Sequence, residues 1–239
     1  MADETLGGQF PSTEWTLVLA AGSDTSRSAP ALEKLCRSYW QPLYAFARRK
    51  GHSPATSEDA VQGFLHSIIA RRSMENVEQN GGKFRSWLLG GFSHHLANLY
   101  RHEQTARRGG GLLPLSIEEA EAALPSDPSL SPDEAYDRRW AQLVLAAAMT
   151  ALRDQQQRTG RGESYTLLEP VVTMQAKTPY ADLAGKLGLT EQAVTLQVFR
   201  LRQRLRDLVR SEVARTVLTR EELEEELGYL MEIFRKRSG

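Results

Sequence analysis

Between Tyr180 and Leu205 the spacing of small, capping and apolar residues admits one local structure, two helices joined by a tight turn. Ala184 lies four positions before Gly188, at the site where a second helix crossing close over the first demands a small side chain. Gly188 can take the left-handed conformation that stops a helix at no Cβ cost. Thr190 suits the N-cap of the next helix, and Glu191 and Gln192 fall in its first turn, where the dipole favours them. Leu183, Leu187, Val194, Val198, Leu201, Leu205 and Leu208 recur at three-and-four spacing and mark the buried face. Arg200, Arg202, Gln203, Arg204 and Arg206 are left for solvent or phosphate. The stretch reads as a DNA-binding helix-turn-helix. The competing reading is a helical hairpin with an arginine-rich solvated side.

In a chain of 239 residues this motif leaves room for one large domain or two small ones. Lysine plus arginine and aspartate plus glutamate number 30 each, so net charge expresses no preference for nucleic acid and the distribution of charge must decide. Cys36 is the single cysteine, which excludes an internal disulfide and any cysteine-based zinc site. The start, Met-Ala-Asp-Glu, has no basic leader, and no apolar run approaches the ~20 residues of a membrane span. The expected setting is soluble and cytoplasmic, with no membrane partner. Period-two alternation and Asn-Gly or Asp-Gly hairpin signals are nearly absent. The expected class is all-α, as two small helical domains joined by a linker rich in proline, glycine and acid.

Residues 1–24 read as a polar tail and a short helix through Trp15, Leu17, Val18 and Leu19, capped by Ser12 or Thr13; a linker-like run then extends from Gly22 to Pro30. Leu32, Leu35, Cys36, Tyr39, Trp40, Leu43, Phe46 and Ala47 line a strong helix, broken at Gly51 and Ser53-Pro54. Ala60, Val61, Phe64, Leu65, Ile68 and Ile69 mark a second helix, and residues 73–83 a loop. A third helix from Phe84 to about Glu103 turns polar and basic at its far end, closing a first domain over 25–108. Residues 109–134 form the linker, with Gly109-Gly-Gly, Pro114, Pro125, Pro128, Pro132 and the acids Glu118, Glu119, Glu121 and Asp127. Trp140, Leu143, Val144, Ala147, Met149 and Leu152 line the next helix, and Tyr165, Leu167, Leu168, Val171 and Val172 another. With the helix-turn-helix these make a second domain over 135–216. In the helical extension 217–239, Thr219 is the cap and the charges complement the dipole. Leu223, Leu227, Leu230, Met231 and Phe234 are expected to dock it on the second domain.

Several stretches carry a resemblance. They are Phe-Pro-Ser-Thr-Glu-Trp-Thr-Leu-Val-Leu-Ala-Ala at 10–21 and Leu-Cys-Arg-Ser-Tyr-Trp-Gln-Pro-Leu-Tyr-Ala-Phe-Ala-Arg-Arg-Lys-Gly at 35–51. Glu58-Asp-Ala-Val-Gln-Gly-Phe, Lys83-Phe-Arg-Ser-Trp-Leu-Leu, Arg107-Arg-Gly-Gly-Gly, the helix-turn-helix and Glu-Val-Ala-Arg-Thr-Val at 212–217 follow. In order and spacing the chain resembles a sigma factor of the extracytoplasmic-function type, the two-domain group of the sigma-70 family. The resemblance runs from about residue 11 onward. It implies an alternative sigma factor that binds core RNA polymerase through the β and β′ subunits and directs promoter-specific transcription initiation. Residues 25–108, similar to sigma region 2, would bind the promoter −10 element and the polymerase clamp. Residues 135–216, similar to region 4, would read the −35 element and touch the β flap.

Residue by residue, the family's polymerase-binding helix matches Glu58, Asp59, Gln62 and Phe64, with Phe64 expected in the core. The competing role of Glu58 and Asp59 is an ordinary acidic helix start. The −10 strand falls to His94, His95, Asn98, Arg101 and His102, with Arg107 and Arg108. Opened bases need polar groups and flat surfaces, and their phosphates need cations. Adjacent His94 and His95 point in different directions on a helix, and no His-Glu-x-x-His occurs, so no metal is expected. The −35 positions match Thr195, Leu196, Gln197, Phe199 and Arg200, with Arg204 beside them. Arg200 is placed to pair bidentately with guanine, worth ~1–3 kcal/mol. Arg202, Arg204 and Arg206 are left for phosphate or solvent. Many relatives carry arginine or lysine where this chain has Thr195 and Gln197, so its DNA preference should depart from theirs.

A second departure lies at Ala55-Thr56, where relatives commonly have an acidic pair. Phosphate on Thr56 would add about −1.5 to −2 charge and replace it. Some members of the family are linked to Ser/Thr kinases instead of anti-sigma proteins, so either partner is expected here. The competing role is helix capping by Thr56 or Ser57. The alternative function is a helix-turn-helix regulator acting on duplex DNA without polymerase; it would place a ligand or receiver domain in the first 108 residues. No catalysis and no cofactor are expected. There is no glycine-rich phosphate loop and no Gly-x-Ser-x-Gly, and Asp24, Glu58 and Asp59 form no acid/base pair.

Overall fold

The computed structural model describes residues 25–71, 83–102, 124 and 127–236, and every regular element among them is a helix. In order they are α1 (Thr25–Arg49), α2 (Pro54–Arg71), α3 (Phe84–His102), α4 (Pro132–Arg158), α5 (Gly162–Val172), α6 (Tyr180–Leu187), α7 (Glu191–Ala214) and α8 (Arg220–Arg235). None of these helices is long and apolar enough to cross a membrane. The expected tail and short helix over 1–24, the loop at 73–82 and most of the linker lie outside the described residues. Thr25 to Pro30 belong to α1, not to a linker; Ser and Thr favour caps over helix interiors, which is why that run reads as unstructured.

Helix ends follow local chemistry. α1 stops at Gly51, whose φ of +93° suits glycine. Its amide bonds the Arg48 carbonyl and the His52 amide bonds the Ala47 carbonyl, a Schellman closure. Ser53 and Pro54 then start α2. The Ser53 hydroxyl accepts from the Thr56 amide at 3.2 Å, so the cap is Ser53, one turn ahead of the expected Thr56 or Ser57. α4 opens with a capping box: the Glu134 amide bonds Ser131 Oγ at 3.2 Å, and the Ser131 amide bonds the Glu134 carboxylate at 2.9 Å. Thr219 caps α8 as expected, accepting from the Glu222 amide.

The chain divides into two compact units, and the division differs from the expected one. The first unit takes the residues up to Leu143 together with Val213 onward; the second is Val144–Glu212. The first three turns of α4 and all of α8 therefore belong with α1, α2 and α3, whereas α8 was expected to go with the second domain. Packing explains the assignment. Tyr39 of α1 meets Phe84 edge to face at 5.1 Å and lies 6.4 Å from Tyr136 of α4. The Tyr136 hydroxyl donates to the Arg85 carbonyl, and the Phe84 amide to the Thr216 carbonyl. Around this seam Leu35, Trp40, Leu43 and Phe46 of α1 and Phe92 of α3 are fully buried, and Val61 and Leu65 of α2 close the layer. Each such side chain contributes about 1.5–3 kcal/mol of burial. On α4 the buried apolar positions are Ala135, Tyr136, Trp140, Ala141, Ala148 and Leu152, while Ala147, expected inside, is exposed.

The second unit is small. Its core is Leu168, Val171 and Val172 of α5, Leu183 and Ala184 of α6, and Val194 and Val198 of α7, flanked by Tyr180, Leu187, Leu201 and Leu205.

Candidate nucleic-acid interface

The corner between α6 and α7 is built by three residues. Gly188 takes φ +63°, ψ +31° and ends α6, its amide and that of Leu189 turning back to the Ala184 carbonyl. Thr190 Oγ1 accepts from the Ala193 amide at 3.2 Å and starts α7. Ala184, only 8% exposed, is the small residue under the crossing. Val194 and Val198 anchor α7 to the core, which fixes what its other sides present.

Those sides separate the residues expected to read DNA. Thr195, Leu196 and Phe199 project outward, with Leu196 47% and Phe199 56% exposed. Thr195 Oγ1 is turned back onto the Glu191 carbonyl at 2.9 Å, so its methyl is its outward chemistry. Gln197, Arg200 and Arg204 line a groove of about 500 Å³, closed by the end of α4 and the start of α5, with Arg200 one turn beyond the exposed Leu196. Arg204 Nε donates to Gln155 Oε1 at 2.8 Å. Arg202, expected at phosphate or solvent, instead donates to the Val171 carbonyl at 2.8 Å and ties α7 to the end of α5. Arg206 is exposed.

In the first unit, α2 carries the residues expected at a polymerase surface. Asp59 is exposed, Glu58 and Gln62 are half-buried, and Gln62 donates to Glu58 at 2.9 Å. Thr56 is in the first turn, half-buried, and its hydroxyl accepts from Ser53 Oγ at 2.9 Å. Ser57 is wholly buried, which removes it from any surface role. Phe64 is in the core, 5.3 Å from Phe92, as expected.

On α3 the two histidines part company. His94 and Asn98 are exposed, and His94 Nδ1 lies 2.8 Å from the Gly90 carbonyl. His95 is half-buried; its ring packs 5.5 Å from Phe64 and stacks on Phe92 at 6.5 Å. That ring covers the core rather than offering a face to a base. Arg101 and His102 belong to the last turn of α3, their side chains outside the described residues along with Arg107 and Arg108. No group of three or more His, Cys, Asp or Glu side chains gathers to hold a metal among the described residues. The Cys36 thiol is pushed up to about 12 by burial, with Glu33 adding to the rise, which disfavours its thiolate.

Two features escaped the sequence reading. One is the cluster around Arg85, held by Glu226 and Asp137, whose partners are far apart in sequence. The other is Arg161, which lines the groove beside α7. The only sequence signal for it was the interruption at Gly160 and Gly162. Compared with known protein families, curated proteins and solved structures, the chain matches none.

Proposed function

We propose that this chain is an alternative sigma factor that associates with core RNA polymerase and directs promoter-specific initiation, working in the cytoplasm where the polymerase is. The observation that carries the reading is the corner at Gly188. A left-handed glycine, a capping threonine and a small crossing residue hold α7 with its outer side free, the arrangement a duplex-reading helix needs. Unlike a regulator that carries only a ligand or receiver domain, this chain adds a unit with exposed His94 and Asn98 on α3 and exposed Asp59 on α2. These suit an opened strand and a basic protein surface respectively. α7 would read the −35 element and α3 would hold the −10 strand. Glu58, Asp59 and Gln62 would meet the polymerase, with phosphate on Thr56 adding charge to that surface.

The test is a pull-down of core RNA polymerase with the full-length protein, followed by transcription from a genomic promoter library. Association with the core and start sites sharing two spaced elements are expected. Duplex binding without any association with the core would favour the helix-turn-helix regulator.

A further inference from the structure

α7 carries an exposed, largely apolar patch and a set of arginines, and the two meet different surroundings. Thr195, Leu196 and Phe199 face open solvent. Arg200 and Arg204, four apart and therefore on one side of the helix, face the groove closed by α4 and α5. From its far wall comes a third arginine, Arg161. No carboxylate lines the groove among the described residues. The side chains of Arg161 and Arg200 make no ion pair or hydrogen bond among the described residues, and Arg204 spends only its Nε, on Gln155. Three arginines lining one groove with no carboxylate among them concentrate positive charge there, and a bound anion offsets it. The planar fork of arginine matches phosphate oxygens in pairs. Ser164 adds a hydroxyl to the wall, and α5 starts at its rim with no side chain capping its first turn.

We propose that this groove seats a backbone phosphate of duplex DNA, and that Arg200 and Arg204 grip the strand with Arg161 instead of reading bases. The assignment rests on the duplex-binding role of α7 given above. A helix lying in a major groove meets base edges with its outer strip and the strand wall with its flank. The flank here is the arginine strip. Sequence discrimination then falls to Thr195, Leu196 and Phe199, whose apolar surfaces suit thymine methyl groups.

The test uses the full-length protein with core polymerase present, a random-sequence duplex pool for selection, and binding measured over a range of salt. Arg161→Ala and Arg200→Ala should each weaken binding about tenfold, the size of one charge-assisted contact. Both should lower the salt slope by about one and leave the selected sequence unchanged. Phe199→Ala should change the selected sequence. Arg200→Ala that relaxes one base position with an unaltered salt slope would overturn the assignment and make Arg200 a base reader. A wild-type protein that enriches no duplex sinks the duplex-binding role itself, and this groove assignment with it. Inorganic phosphate or nucleoside triphosphate bound through Arg161, with duplex binding indifferent to Arg161→Ala, would overturn the assignment in favour of a small-molecule site.

Discussion

Two hydrogen bonds of 2.9 and 3.0 Å join the Arg85 guanidinium to the Glu226 carboxylate, although 141 residues separate them in the chain. Asp137 bonds the same guanidinium and accepts from the Tyr229 hydroxyl, while the rings of Trp140 and Tyr229 lie 4.9 and 4.8 Å from it. Glu226 is 2% exposed. Charges this deep are tolerable only in company, so removing one leaves the others uncompensated. Arg85→Met should cost about 3–5 kcal/mol in urea unfolding. Replacing Arg85, Asp137 and Glu226 together by apolar residues of similar size should recover much of that loss. A triple variant no more stable than Arg85→Met would show that the cluster's geometry, not its charge balance, holds α8 in place.

Gly188 stands with φ +63° and open space where a Cβ would project. The cost of a side chain is therefore backbone strain alone. Gly188→Ala should destabilise the chain by about 1–2 kcal/mol, and Gly188→Asn by less, since asparagine visits the left-handed region more readily. Unfolding of the two variants, compared with wild type, checks the order.

What could be read from the sequence is what short-range chemistry decides. Gly188, Thr190 and Thr219 act within four residues of themselves, so cap and turn rules find them. α8 was misassigned because an amphipathic helix announces that it has an apolar side, not which partner covers it. Its choice of the first unit depends on Arg85 and Asp137, distant in sequence. His95 is a subtler case. Leu88, Phe92 and Leu96 are buried at four-residue spacing, and His95 lies three after Phe92, at the edge of that stripe. Adjacency to His94 drew both into one group when helix geometry divides them. Arg161 stood in a glycine-flanked turn and gained meaning only when the ends of α4 and α5 were brought beside α7.

Glu134 and Asp137, one turn apart on α4, should titrate in opposite senses. The backbone and hydroxyl bonds from Ser131 hold the Glu134 carboxyl below its ordinary value of 4.5. Its stabilising contribution is full above that ordinary value and is lost as pH falls through the depressed one. Burial raises the Asp137 carboxyl, against the pull of Arg85. The folded state thus keeps that proton longer, and stability declines as pH rises from the ordinary aspartate range toward the raised value. Unfolding free energies from pH 3 to 7 should show the gap between wild type and Glu134→Gln closing toward low pH. For Asp137→Asn the declining component should vanish.

Thr56 lies in the first turn of α2, where the helix dipole favours negative charge. The cap itself is Ser53, so the two positions can be separated. Ser53→Ala should cost about 1 kcal/mol of stability without changing affinity for core polymerase. Thr56→Asp should raise that affinity, and treatment of the wild type with a Ser/Thr kinase should raise it further because phosphate carries more charge. Equal core binding and transcription by wild type, Thr56→Ala and Thr56→Asp would sink the proposed switch.

His94 and His95 give the sharpest contrast between surface and core on α3. His94→Ala and Asn98→Ala should weaken binding of a single-stranded oligonucleotide, measured by fluorescence anisotropy, at unchanged thermal stability. Loss of a stacked or hydrogen-bonded base corresponds to about 1–3 kcal/mol. His95→Ala should do the reverse. It removes a ring that covers Phe64 and Phe92, so stability should fall by about 1–3 kcal/mol while strand affinity, corrected for the folded fraction, holds. If instead His95→Ala abolishes strand binding in a protein of normal stability, the ring must swing away from Phe92 to meet the base. α3 would then be an element that rearranges on binding rather than a preformed surface.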